Sequence, residues 1–218
     1  MLLPKGAVMH ISEGVLSIPV LSVGAVVAAG GVAAGLRALR AEDMPKTALF
    51  ASAFFVASLI YVPVPPGSVH LVLNGLMGLV LGAAAFPAIF AALLLQAFFF
   101  HFGGITVLGV NTCVMALPPV VCGYIFLPLL HKANPVARRV AAFACGAVSI
   151  LLSGLLAATA LVLSGAGVEG VNFTASAATL LIAHLPLAFL EGGITLLVVA
   201  FVERVRPEFL NIAPSARG

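Results

Sequence analysis

Three features of this sequence carry groups able to hold a metal ion or move a proton: the dipeptide Met9-His10, His70 behind a proline-rich turn, and the pair His184 and Glu191. If Met9 is the first residue, its amine, the His10 amide nitrogen and the His10 imidazole can chelate one ion through fused rings. One further imidazole completes four nitrogens able to close in a plane, a set that favours Ni(II) or Cu(II). His70 is the natural fourth donor. It follows Pro63-Val64-Pro65-Pro66-Gly67-Ser68-Val69, a stiff stretch because proline fixes φ and glycine permits the turn. A Met-His dipeptide is common, so His10 also reads as an ordinary exposed or interfacial histidine. The proline-rich stretch also reads as punctuation between two helices.

Other polar residues fall near these. Asn74 lies one helical turn beyond His70 on the same side, where it can orient the imidazole or bond a neighbouring helix. The segment His101 to Thr112 is glycine-rich and carries no Lys, Arg, Asp or Glu. Without a following Lys it is no phosphate cradle. It reads as irregular backbone lining a cavity, with Thr106, Asn111 and Thr112 supplying hydrogen bonds. Glu13 stands three residues after His10. His184 and Glu191 are seven apart, on one face of a helix. A proton relay, support for ligands, a partner contact and a structural pair all fit them. His131 beside Lys132 reads as a solvated loop residue. Cys113, Cys122 and Cys145 show no CxxC spacing and read as packing residues.

The elements that must position these groups are transmembrane helices. Of the 218 residues, 62% are hydrophobic and only 8% charged, against roughly a quarter charged in soluble domains. Seven apolar stretches run at about Val15–Leu39, Thr47–Val62, Val69–Ala85, Pro87–Phe102, Val114–Leu130, Val140–Ser164 and Ala175–Val202. Their Gly and Ala suit close helix packing in lipid, and Pro118-Pro119 predicts a kink or break in the fifth. The expected fold is all-α: one polytopic bundle of seven transmembrane helices. Lys and Arg gather after the first stretch (Arg37, Arg40, Lys46), between the fifth and sixth (Lys132, Arg138, Arg139) and after the seventh (Arg204, Arg206, Arg217). The positive-inside rule makes those connections cytoplasmic. The N-terminus is then outside and the C-terminus cytoplasmic, so Met9-His10, His70 and the 101–112 segment share the external face. Lys5 alone opposes this orientation. Residues 1–8 are too short for a signal peptide and read as a non-native or misassigned leader, 9–206 as one transmembrane domain and 207–218 as a cytoplasmic tail. A net charge of +3 supplies no stripe for nucleic acid.

Four motifs resemble the CbiM/NikM family, the substrate-specific subunits of energy-coupling-factor transporters for cobalt and nickel. They are Met9-His10-Ile11-Ser12-Glu13-Gly14-Val15-Leu16, Gly67-Ser68-Val69-His70-Leu71, Phe102 through Thr112, and Ala183-His184-Leu185-Pro186 with Glu191-Gly192-Gly193-Ile194-Thr195. The resemblance runs from Met9 to about Arg206. It implies a seven-helix bundle in a bacterial or archaeal plasma membrane, with Ni2+ or Co2+ as transported substrate held by Met9, His10 and His70. It further implies that Ile11, Ser12 and Glu13 fix the N-terminal strand and that Asn111 and Thr112 line the pocket. A transmembrane coupling subunit, ATPase subunits and a small accessory membrane protein are the implied partners, and the chain itself has no P-loop. Because the family motif starts at the initiator, the resemblance favours a chain beginning at Met9. Two other readings remain, a haem-binding membrane redox protein using pairs among His70, His101 and His184, and a vitamin-binding subunit of the same transporter class.

Overall fold

The computed structural model describes residues 11, 13–64, 67–131, 134–165 and 173–210. Among them lie seven α-helices: α1 (Ile18–Ala38), α2 (Met44–Ala57), α3 (Asn74–Leu81), α4 (Ala85–Phe100), α5 (Leu108–Leu130), α6 (Pro135–Ser164) and α7 (Phe173–Val205). Proline sits in the first turn of α1, α2 and α6, where its missing N–H costs no helical bond. The Asn134 side chain also accepts from Val136 N at 2.9 Å to start α6. Five stretches are long and apolar enough to cross a membrane: Ile18–Ala38, Asn74–Phe100, Leu108–Leu130, Pro135–Ser164 and Ala178–Val205. The outer surface of the bundle is apolar, with Ile18, Phe98 and Phe189 exposed. Asn74, Gln96, His184, Glu191 and Thr195 are buried inside. That inversion of the water-soluble pattern suits a hydrocarbon surround.

Three expectations change. The chain from Tyr61 to Leu81, read as the end of one apolar stretch, a proline-rich connection and the start of the next, is a β-hairpin followed by a short helix. β1 (Tyr61–Val64) pairs antiparallel with β2 (Gly67–His70), Tyr61 opposite His70. Leu73 at φ 54° then turns the chain into α3, and Gly82 at φ 52° closes α3 after eight residues. Second, α5 begins at Leu108, so Asn111 and Thr112 stand on its first turns and irregular backbone ends at Val107. Third, α5 runs unbroken through Pro118, Pro119 and Pro128. It lies so close to α3 that a Cβ on Gly78 would collide with the Pro119 carbonyl, and one on Gly123 with the Gly78 carbonyl. Backbone-to-backbone contact of this kind is how glycine serves helix packing in lipid.

The two ends of the bundle differ. Ser17, Val110 and Ser164 line one groove, which gathers the start of α1, the start of α5 and the end of α6. At the other end a cavity of about 280 Å³ is lined by Leu39, Lys46, Gly82, Tyr124 and Leu127, and Arg138 faces Glu203 at 3.7 Å. Lys46 near the start of α2, Arg138 and Arg139 near the start of α6 and Arg204 at the end of α7 therefore share this second end.

Candidate metal centre

The chain next to Met9-His10 is tied down by α5 and by the segment before it. Asn111 is 2% exposed and pairs with both backbone groups of Ile11. The Ile11 N–H donates to Asn111 Oδ1 at 3.0 Å, and Asn111 Nδ2 donates to the Ile11 carbonyl at 3.2 Å. A planar amide presents one donor and one acceptor side by side, as a neighbouring strand does. Two residues on, the Glu13 N–H donates to the Gly103 carbonyl at 3.1 Å. The Glu13 Oε1 accepts from Thr106 N at 3.1 Å and Thr106 Oγ1 at 3.3 Å. Gly104, at φ 123°, lies so close beneath Glu13 that a Cβ would strike the carboxylate. Met9 and His10 themselves lie outside the described residues.

His70 ends β2 and is buried, 3% exposed. Its Nδ1 lies 2.7 Å from the Ser58 carbonyl oxygen. A carbonyl only accepts, so Nδ1 carries the proton and the neutral ring keeps its lone pair on Nε2. Burial pushes the imidazole below its ordinary value of 6.5, partly opposed by the Ser58 bond. The ring therefore stays neutral, the form a metal requires. The His70 ring meets Phe102 edge-on at 6.0 Å. Phe102 adjoins Gly103, whose carbonyl holds Glu13, so the hairpin, the 101–107 segment and the N-terminal segment meet at one place.

The remaining candidates lie elsewhere. Asn74 Nδ2 donates to Ser153 Oγ on α6 at 2.8 Å. Thr112 Oγ1 donates within its own helix to Leu108 O at 2.7 Å. His184 Nδ1 lies 2.7 Å from Leu180 O, and its ring packs where Gly154 leaves room. His101, at φ 56°, caps α4 in an exposed position. His70, His101 and His184 thus occupy three separate surroundings. Glu191 is fully buried, and its Oε1 accepts from Val72 N at 2.6 Å and Leu73 N at 2.8 Å. It closes the backbone groups exposed between β2 and α3, which in hydrocarbon would cost several kcal/mol if left unpaired. Glu191 stands near the middle of the Ala178–Val205 span, so α3 begins part-way through the bundle. Two residues escape a search for ionisable groups: Gln96 on α4 and Ser58 at the end of α2, both fully buried. Gln96 is the lone polar side chain in α4, AFPAIFAALLLQAFFF, and that isolation is the signal that marks it.

These features define a multi-pass membrane protein whose N-terminal segment is anchored beside a buried, neutral imidazole. Residues 10–209 match the family described as CbiM, cobalt uptake substrate-specific transmembrane region, and the chain belongs to that family. It is 46% identical over 204 residues to a putative metal transport protein of Haemophilus influenzae, covering 93% of this chain and 97% of that one. It is 30% identical over 208 residues to the putative fused nickel transport protein NikMN of Archaeoglobus fulgidus, covering 93% of this chain and 68% of that one. A crystal structure of a transition metal transporter superposes with a TM-score of 0.79 at 28% identity, covering 90% of this chain and 93% of that one.

Proposed function

We propose that this chain is the substrate-capture subunit of an energy-coupling-factor importer for a divalent transition metal, nickel or cobalt. The ion is taken from outside the cell by the Met9 amine, the His10 amide nitrogen and imidazole, and His70. The observation that supports this most is the double hydrogen bond between Asn111 and Ile11. It anchors the residue after His10 on the same end of the bundle as His70, whose proton on Nδ1 leaves a lone pair for the ion. Glu13 and Thr106 brace the same segment. Asn74, Thr112, His184 and Glu191 support the site at a distance, through the helices that carry it. Seven helices pack within the bilayer, α3 reaching only part of the way through it, with the N-terminus outside and the cationic end in the cytoplasm, as the positive-inside rule directs. ATP hydrolysis belongs to partner chains. The fused form of one relative, a putative nickel transport protein, supports an assembly with further transporter subunits.

In this reading the donor at residue 9 is an amine, so the working chain begins at Met9. Calorimetry of Ni2+ and Co2+ binding to protein beginning at Met9, to protein retaining residues 1–8, and to His10→Ala and His70→Ala tests it. Residues 1–8 weaken binding at least about tenfold, or ~1.4 kcal/mol, and either alanine weakens it further. Equal affinity across all four proteins would remove these groups from the site.

A further inference from the structure

Gln96 reaches across from α4 to the end of α2. Its Nε2 donates to the Phe55 carbonyl at 3.2 Å and makes a short hydrogen bond to Ser58 Oγ. Ser58 Oγ in turn donates to the Phe55 carbonyl at 2.9 Å, and the Ser58 N–H donates to Phe54 O at 3.0 Å. The last turn of α2 is thus closed by an amide from another helix. The carbonyl that this turn presents is that of Ser58, the acceptor 2.7 Å from His70 Nδ1. Next to it the Leu71 N–H donates to Ile60 O at 3.2 Å, holding the hairpin against the same turn. Phe55 and Phe100 pack at 5.9 Å, Phe100 and Phe102 at 5.6 Å, and Phe102 meets the His70 ring. An aromatic wall therefore backs the network on its apolar side.

A buried primary amide in an otherwise apolar helix is costly unless its groups are matched. Here its donor is spent where the imidazole needs a fixed acceptor. Orientation of a ligating histidine through its second ring nitrogen is a general means of setting which nitrogen meets the metal. We infer that Gln96 is a positioning residue which, through Ser58, fixes Nε2 of His70 as the atom that meets the ion. This rests on the metal-capture reading and adds to it the residues that select the ligating atom.

The test uses the chain beginning at Met9 in detergent, with Gln96→Ala, Ser58→Ala, Ser58→Thr and His70→Ala beside the wild type. Long-range proton–nitrogen correlation spectra of 15N-histidine-labelled, metal-free protein read the His70 tautomer, and calorimetry with NiCl2 reads affinity. The expected result is a proton on Nδ1 in the wild type and in Ser58→Thr, and mixed tautomers in Gln96→Ala and Ser58→Ala. Nickel affinity falls about 10- to 100-fold in those two variants and returns in Ser58→Thr. If Gln96→Ala does not fold, the wild-type spectrum and the Ser58 pair decide. A proton on Nε2 in the wild type overturns the inference. So does unchanged tautomer and affinity in both alanine variants while His70→Ala abolishes binding, and this leaves metal capture standing. No nickel heat from the wild type overturns both.

Discussion

Asn111 supplies to Ile11 what a neighbouring strand would supply, one acceptor and one donor. Replacing it by alanine strands two buried backbone groups, at about 1–3 kcal/mol each. Nickel affinity of Asn111→Ala, measured by calorimetry, falls at least tenfold, while Asn111→Asp keeps the acceptor and loses less. Glu191 is bound to two amides in the same manner. Glu191→Ala lowers the thermal midpoint by more than Glu191→Gln, which keeps an oxygen in place, and a scanning fluorescence melt separates them. His70 gives a pH dependence. Its folded value lies below 6.5 because burial disfavours the cation, so in acid the unfolded chain binds the proton first. The stability of metal-free protein is then intact above 6.5 and declines as pH falls from there through the lowered value, and His70→Ala loses that component of the acid slope. Among single residues, the histidines and Glu13 were visible in the sequence because charge and metal-ligand chemistry stand out against hydrocarbon. Gln96 and Ser58 did not stand out, since neither ionises and their task appears only when α2 and α4 are side by side.

Helices α3 and α5 meet through bare backbone, with Gly78 on the Pro119 carbonyl and Gly123 on the Gly78 carbonyl. Gly78→Ala forces that contact apart, at about 1–3 kcal/mol for an overpacked core. Gly30→Ala on α1, where nothing lies within 4 Å of the added methyl, gains up to about 1 kcal/mol from helix propensity. Comparing their melts checks whether the α3–α5 contact is as tight as described. Hydropathy found the longer helices because each is an extended apolar run. It could not find the break at Leu71–Leu73, for these residues are as apolar as the helices around them. What interrupts the helix there is a hydrogen-bond acceptor brought from Glu191, 118 residues further along from Leu73, and no local pattern encodes it. The break that Pro118-Pro119 could have made in α5 is absent: proline is a strong local signal, overridden here by packing against α3 and α6.

For the molecule as a whole, the two ends of the bundle differ in charge. Lys46, Arg138 and Arg204 gather at one end and the anchored N-terminal segment lies at the other. Which end faces the cytoplasm is testable with an added thiol, the native Cys122 and Cys145 being buried and Cys113 half-buried. Arg206→Cys reacts with a membrane-impermeant maleimide only after cells are opened. Labelling of intact cells would reverse the orientation. The apolar stretches were countable from sequence, whereas the unequal lengths of the helices, from eight residues in α3 to 33 in α7, were not.

The shortness of α3 has an electrical consequence. Eight residues rise only about 12 Å, and Glu191 meets the chain just before α3 near the middle of its own span. His70 is therefore set below the surface of the bundle. In the proposed capture reading, with the N-terminus outside, an ion bound there has descended part of the membrane potential, and a divalent charge feels each fraction twice, against ~2.3 kcal/mol per elementary charge for a full 100 mV. Occupancy in an energised cell then exceeds that in detergent at the same metal concentration, and collapsing the potential releases part of the bound ion before any partner has moved.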